Sequence, residues 1–155
     1  MFLKDLTSQI FMVHIVCCTL FIMDYSAPRL ILSLDFKDAN NLLAGVMNLK
    51  GFKVSKSKSI DDCLSIISQI DDKIDVVLID KQRAVENDFY LVNQIKKITP
   101  DTMVVVIADN TDEDGYLLDK NIDQLVLRPI SPENTADTIL TILAKRELKR
   151  LREAS

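Results

Sequence analysis

From Pro28 onward the chain alternates between two hydrophobic rhythms: short unbroken apolar runs, and segments whose apolar residues return every third or fourth position. The first rhythm predicts strands buried on both faces and the second predicts amphipathic helices. "RLILSLDF", "IDVVLID", "TMVVVIAD" and "DQLVLRP" are of the first kind. "FKVSKSKS" alternates residue by residue, as a half-exposed strand does. Between the strands, "KDANNLLAGVMNLKGF" carries Leu42, Leu43, Val46, Met47 and Leu49 at helical spacing and closes on Gly51, a C-cap residue. "SIDDCLSIISQIDDK" offers Ser59 as N-cap, with Asp61 and Asp62 in its first turn. A third helix is predicted roughly from Asn87 to Ile98, ended by Pro100. The polar stretch "DNTDEDG" reads as a loop leading to a short helix around Tyr116 to Lys120. The last helix opens on Ser131 with Pro132 at its first position, and carries Ile139, Ile142, Leu143 and Leu148 on one face.

Five strands alternating with five helices predict an α/β fold with a doubly wound parallel sheet. In such a sheet, sites lie outside the carboxyl ends of the strands. Asp35, Asp80, Asp109 and Arg128 each close a predicted strand, so all four belong to one rim. The stretch "IDVVLIDKQRAVENDFYLV" is the sharpest case: its apolar run ends on a lone carboxylate, Asp80.

With 155 residues, 48% of them apolar, the chain has room for one domain with a sizeable core. A net charge of −4 argues against a general nucleic-acid binder. Cys17, Cys18 and Cys63 have no metal-ligand spacing and read as reduced thiols of a cytoplasmic protein. The single histidine, His14, lies in an apolar run, which excludes a His-based triad or metal site by inventory. Residues 1–27 stand apart as an apolar extension, 28–150 form the predicted domain, and 151–155 are a tail. The run from Ile10 to Met23 is shorter than the ~20 residues of a membrane helix, and it lacks the front and cleavage site of a signal peptide. Three readings of it stay open: an extension outside the fold upstream of a start at Met23, a weak membrane anchor through residues 10–23, or an extra helix. The basic run "AKRELKRLRE" reads either as a solvated helix end that complements the helix dipole or as a contact surface.

Taken together, the rim residues and their spacing resemble the receiver domain of two-component response regulators, over roughly Arg29 to Leu148. Asp35 falls on an acid closing the first strand, and Gly51 stands at the usual distance after it. Asp80 falls on the phosphoacceptor aspartate. "RPI", Arg128 to Ile130, falls on the Lys-Pro pair after the fifth strand, where the peptide bond before the proline is cis. The resemblance implies a flavodoxin-like (βα)5 fold with strand order 2-1-3-4-5. It also implies phosphorylation of Asp80 from a histidine kinase or phosphotransfer protein. A Mg²⁺ ion would be held by Asp35, Asp80 and the backbone carbonyl of Gln82, and Arg128 would contact the phosphoryl group or Asp80.

Four departures weaken that scheme. Leu34 replaces one of two adjacent acids, Ile107 stands where a Thr or Ser is expected, Leu125 replaces the switch aromatic, and Arg128 replaces lysine. "NDF" at Asn87 to Phe89 is a fifth, lesser one. The expectation is therefore an atypical receiver acting by protein–protein contact, with a weakened Mg²⁺ site and Asp80 as candidate phosphoacceptor. The alternatives are a phosphate-independent adaptor and, further off, a membrane-associated adaptor or an aspartyl-phosphate-type hydrolase. Enzymatic activity is not expected. A hydrolase wants an acid where Gln82 stands, and "SLDFKDAN" has none of the glycines of a dinucleotide site. Expected partners are a downstream protein or a second copy through the last helices, with no nucleic acid.

Overall fold

The computed structural model describes residues 27–35 and 37–154. The apolar run Ile10 to Met23 and its three readings lie outside the described residues. Five strands pair in parallel in the order β2-β1-β3-β4-β5: β1 Arg29–Ser33, β2 Lys53–Lys56, β3 Val76–Asp80, β4 Met103–Ala108 and β5 Gln124–Leu127. Helices α1 Lys37–Leu49, α2 Ile60–Gln69 and α3 Lys81–Ile98 supply the first crossovers. A single turn, α4 Thr111–Asp114, continues into a 3-10 turn Gly115–Asp119, and α5 Pro132–Ala154 ends the chain. This is the flavodoxin-like topology expected from the sequence.

The apolar runs become the central strands for the reason their pattern gives. Leu30 to Ser33 of β1, all of β3 and all of β4 are buried, whereas the edge strands β2 and β5 are only half-covered. Side chains alternate across the sheet. Ile31, Val77, Ile79, Val104 and Val106 meet Cys63 and Ile67 of α2 and Leu91, Val92 and Ile95 of α3 in one cluster. Leu30, Leu32, Val76, Leu78 and Val105 point the other way.

Helix ends follow their capping residues. Gly51 takes φ +96, and the N–H groups of Gly51 and Phe52 donate to Asn48 and Met47 carbonyls at 3.1 and 3.0 Å, which is a Schellman closure. The Ser59 hydroxyl accepts from the Asp62 N–H at 3.1 Å, and the Asp62 carboxylate accepts from the Lys58 N–H at 2.7 Å. The Arg128–Pro129 peptide bond is cis, as the resemblance implied.

Three expectations need correction. Leu42 and Leu49 are 62% and 88% exposed, because the buried face of α1 runs through Asn40, Leu43, Ala44 and Met47. At about 100° per residue, Leu42 and Leu49 fall off that stripe. The stretch expected as a loop after β4 winds into α4, started by Asn110, whose side chain accepts from the Asp112 N–H at 3.0 Å, while the short helix expected around Tyr116 to Lys120 is the 3-10 turn Gly115–Asp119. Finally, a short helical stretch capped by Asp80 begins directly after β3 and precedes the helix expected from about Asn87. The helix breaks at Glu86, Asn87, Asp88 and Phe89 follow in the left-handed region, and the expected helix takes up at Tyr90 and runs to Ile98.

By compactness the chain divides into Pro28–Ala136, which holds the sheet, and a second unit whose described part is the helix from Asp137. Within that second part Ile139 is buried, Ile142 and Leu143 are half-buried and Leu148 is exposed.

Candidate functional site

Strand β3 ends on Asp80, and the chain turns at once into α3, so the Asp80 carboxylate sits at the positive end of a helix dipole. Its Oδ1 accepts from the Arg83 N–H at 3.0 Å, the N-cap bond that satisfies one of the helix's free donors. Its Oδ2 accepts from the backbone N–H of Asp35, 2.8 Å away across the β1–β3 boundary. Asp80 is 2% exposed, so its remaining lone pairs are closed off by protein.

Arg83 completes a circuit. Its Nη2 pairs with Asp35 Oδ1 at 2.9 Å and donates to the Lys58 carbonyl at 2.7 Å. Its Nη1 donates to the Ser33 hydroxyl at 3.0 Å and lies 3.5 Å from the Ser57 carbonyl. Asp80, Asp35 and Arg83 are therefore each joined to the other two, and the guanidinium ties the ends of β1 and β2 to the first turn of α3. Beneath it, burial pushes the Cys63 thiol up to about 11, with Ser57, Ser33 and Arg83 pulling the other way. A thiol held protonated in this way is inert at neutral pH.

On the other flank, Lys81 Nζ stands 2.5 Å from Asp114 Oδ1. The buried Asp114 carboxylate also accepts from the N–H groups of Asp109 and Asn110 at 2.9 and 3.1 Å, and so shapes the chain leaving β4. The Lys81 ammonium beside it, helped by those N–H donors, holds Asp114 below the usual carboxylate range, and Asp114 in turn raises Lys81. Arg128 pairs with Asp109, Nε to Oδ1 at 3.4 Å.

No protein-family profile matches the chain, and no curated protein aligns with it. Solved structures do match. A CheY-like receiver domain protein from Methanospirillum hungatei JF-1 superposes with a TM-score of 0.68 over 80% of this chain and 99% of its own, at 15% identity. A response regulator from Thermotoga maritima gives 0.67 over 76% and 98%, at 18% identity. A response regulator from Burkholderia pseudomallei, solved with a phosphorylated aspartic acid, a calcium ion and citrate, gives 0.62 over 83% and 75%, at 14%. The chain has the receiver fold.

In a receiver the rim around Asp80 is where a divalent cation is expected, and the residues present do not fit one. Both Asp80 oxygens accept backbone N–H groups, and the Asp35 carboxylate is engaged by a guanidinium. Gln82 lies in the first turn of α3, where carbonyls point along the helix axis, away from the capping carboxylate. Among the described residues no group of three or more His, Cys, Asp or Glu is arranged to hold a metal. Ile107 pairs in register with Asp80 and is 1% exposed, so a methyl-bearing side chain fills the place of the expected hydroxyl.

Asp35, Asp80, Asp109 and Arg128 close strands or follow them on one edge of the sheet, where Asp35 meets Asp80 and Asp109 meets Arg128. Sequence reasoning missed Arg83, Lys81 and Asp114. Arg83 had a legible signal. Ser33 interrupts an apolar strand run, and a hydroxyl buried there requires a partner.

Proposed function

We propose that this receiver fold works as a phosphate-independent adaptor, in which Asp80 is an internal latch and signalling proceeds by protein–protein contact. The observation that carries this reading is that the Asp80 carboxylate is spent inside the fold, accepting the Asp35 and Arg83 N–H groups at 2.8 and 3.0 Å while 2% exposed. A phosphoacceptor must present one oxygen in line with an incoming phosphoryl group, and it needs cationic help for the charge that arrives. Here the oxygens accept backbone donors, and the basic side chains of the turn that follows, Lys81 and Arg83, are paired with Asp114 and Asp35. The hydroxyl that would accompany a phosphorylation switch is replaced by Ile107, and the strand-five aromatic by the half-buried Leu125.

Support for a contact role comes from the surface. Tyr116, Leu118 and Leu127 are 41–49% exposed along the segment that leads into and forms the edge strand β5. Exposed apolar side chains mark a protein interaction site where they form one contiguous patch, and this reading takes these three as such a patch. The partner in this reading is a protein, either a kinase-side component or a downstream effector. Among the described residues no helix is long and apolar enough to cross a membrane.

The test is incubation with acetyl phosphate and Mg²⁺, read by intact mass beside a phosphorylatable receiver as positive control. The expected spectrum shows unmodified protein only. A phosphoryl adduct that disappears in Asp80→Asn would restore Asp80 as phosphoacceptor and end the adaptor reading.

A further inference from the structure

The rim has lost a metal ligand at Leu34, but it has also gained a cation. The oxygens around the Arg83 guanidinium are the Asp35 carboxylate at 2.9 Å, the Ser33 hydroxyl at 3.0 Å, and the Lys58 and Ser57 carbonyls at 2.7 and 3.5 Å. They form an all-oxygen cage of carboxylate, hydroxyl and main-chain carbonyls, which is the donor chemistry that hard divalent cations select. We infer that Arg83 is a tethered counter-cation which occupies the oxygen cage beside Asp35 and thereby excludes a divalent metal from that carboxylate. The inference deepens the adaptor reading and rests on the same latch, but it assigns the exclusion to one side chain.

Three features support it. The Arg83 side chain is 9% exposed, and a charge that deep persists only where it is paired and hydrogen-bonded. The guanidinium is permanently charged and presents a planar fork of donors, so it satisfies several oxygens at once without any solution component. Its side chain is bound to Asp35 and its backbone N–H to Asp80, so the guanidinium neutralises Asp35 while the same residue's main chain holds Asp80. A mobile ion of charge +2 arriving at this site would meet a resident positive charge at close range, inside a cage already filled. Remove the guanidinium, and the Asp35 carboxylate, the Ser33 hydroxyl and the two carbonyls remain with no cation among them.

The experiment is Mn²⁺ binding by electron paramagnetic resonance, with Mg²⁺ as competitor, to the wild-type chain, Arg83→Ala, Arg83→Met and Arg83→Lys. Circular dichroism checks that each variant is folded. Arg83→Met keeps the apolar stem, which guards against simple loss of packing. The wild-type chain and Arg83→Lys are expected to take up Mn²⁺ only weakly. Arg83→Ala and Arg83→Met are expected to bind it on the order of tenfold more tightly, a factor equivalent to about 1.4 kcal/mol. Adding Asp35→Asn to Arg83→Met is expected to abolish the gain. Folded Arg83→Ala and Arg83→Met that bind no better than wild type overturn the inference, as does a gain that survives Asp35→Asn. Arg83→Lys binding as tightly as Arg83→Ala overturns it too, because the charge would then not be what excludes the ion. These outcomes are separable from the earlier test: an acyl phosphate on wild-type Asp80 defeats the latch, whereas unresponsive Arg83 variants defeat only the substitution for the metal.

Discussion

Neutralising Asp80 tests the latch where it is most exposed to refutation. In Asp80→Ala the N–H groups of Asp35 and Arg83 both lose their acceptor, and α3 loses its N-cap. A hydrogen bond to a charged group contributes about 1.5–3 kcal/mol net, and loss of an N-cap side chain costs about 1 kcal/mol. The cap bond is one of the two hydrogen bonds, and both end on the same carboxylate, so the losses overlap. A destabilisation of about 3 kcal/mol is expected. Asp80→Asn keeps one acceptor but turns an amide NH2 toward a backbone N–H at the other, for about 2 kcal/mol. For a chain of this length that lowers the Tm by roughly 6–8 °C for Asp80→Asn and about 10 °C for Asp80→Ala. Thermal and urea unfolding followed by circular dichroism measure both. The direction of the Asp80→Asn change carries the argument. A carboxylate kept for phosphoryl transfer in an acidic, solvent-open pocket repels its neighbours, so its amide would be neutral or stabilising. If Asp80→Asn melts at or above the wild-type temperature, the carboxylate is not a structural latch and the reasoning fails.

Other expectations follow from the same geometry. Asp114 is held below the ordinary carboxylate value of 3.8, so its contribution to stability is fully present above that value and fades as pH falls through its lower folded value. Lys81 is raised above 10.5, so its contribution is present below 10.5 and fades as pH rises through its higher folded value. Urea midpoints measured against pH should therefore lose part of their acid limb in Asp114→Asn and part of their alkaline limb in Lys81→Met; unchanged limbs would show that the pair does not contribute. Asp88 is exposed at φ 55, in the left-handed region that costs a non-glycine residue about 1–2 kcal/mol. Asp88→Gly should stabilise the chain by about 1 kcal/mol, measured by urea unfolding, and a loss of stability would contradict the backbone assignment. Gly51 has open space around its Cα but φ +96, so Gly51→Ala should cost about 1 kcal/mol through backbone strain alone, without disturbing the helix content seen by circular dichroism.

Much of the fold was legible because burial on both faces leaves no room for polar residues in a central strand. The runs at β1, β3 and β4 are therefore continuous, and their order in the chain fixes the parallel crossovers. The rim was legible as a location for a related reason: a polar residue that ends such a run must lie at the end of the strand, which placed Asp35, Asp80, Asp109 and Arg128 together. What the sequence did not yield was pairing. Which cation meets which carboxylate depends on where α3 starts, and that start was hidden because the amphipathic pattern of Arg83, Ala84 and Val85 lasts a single turn before the left-handed residues at Asn87 to Phe89 break it. Once the helix begins at Lys81, a helical step of about 100° per residue sends Lys81 and Arg83 to opposite flanks of Asp80, one toward Asp114 and one toward Asp35. Ser33, the polar residue that breaks the apolar run at the end of β1, meets the Arg83 guanidinium through its hydroxyl, and Ser57, just past β2, through its main-chain carbonyl. The burial of the Ser33 hydroxyl had no explanation within its own strand, and it finds one only when a cation from another element reaches it. The chemistry of this rim is thus set less by the residues that match a receiver than by three that do not belong to the matching set, Ser33, Ser57 and Arg83.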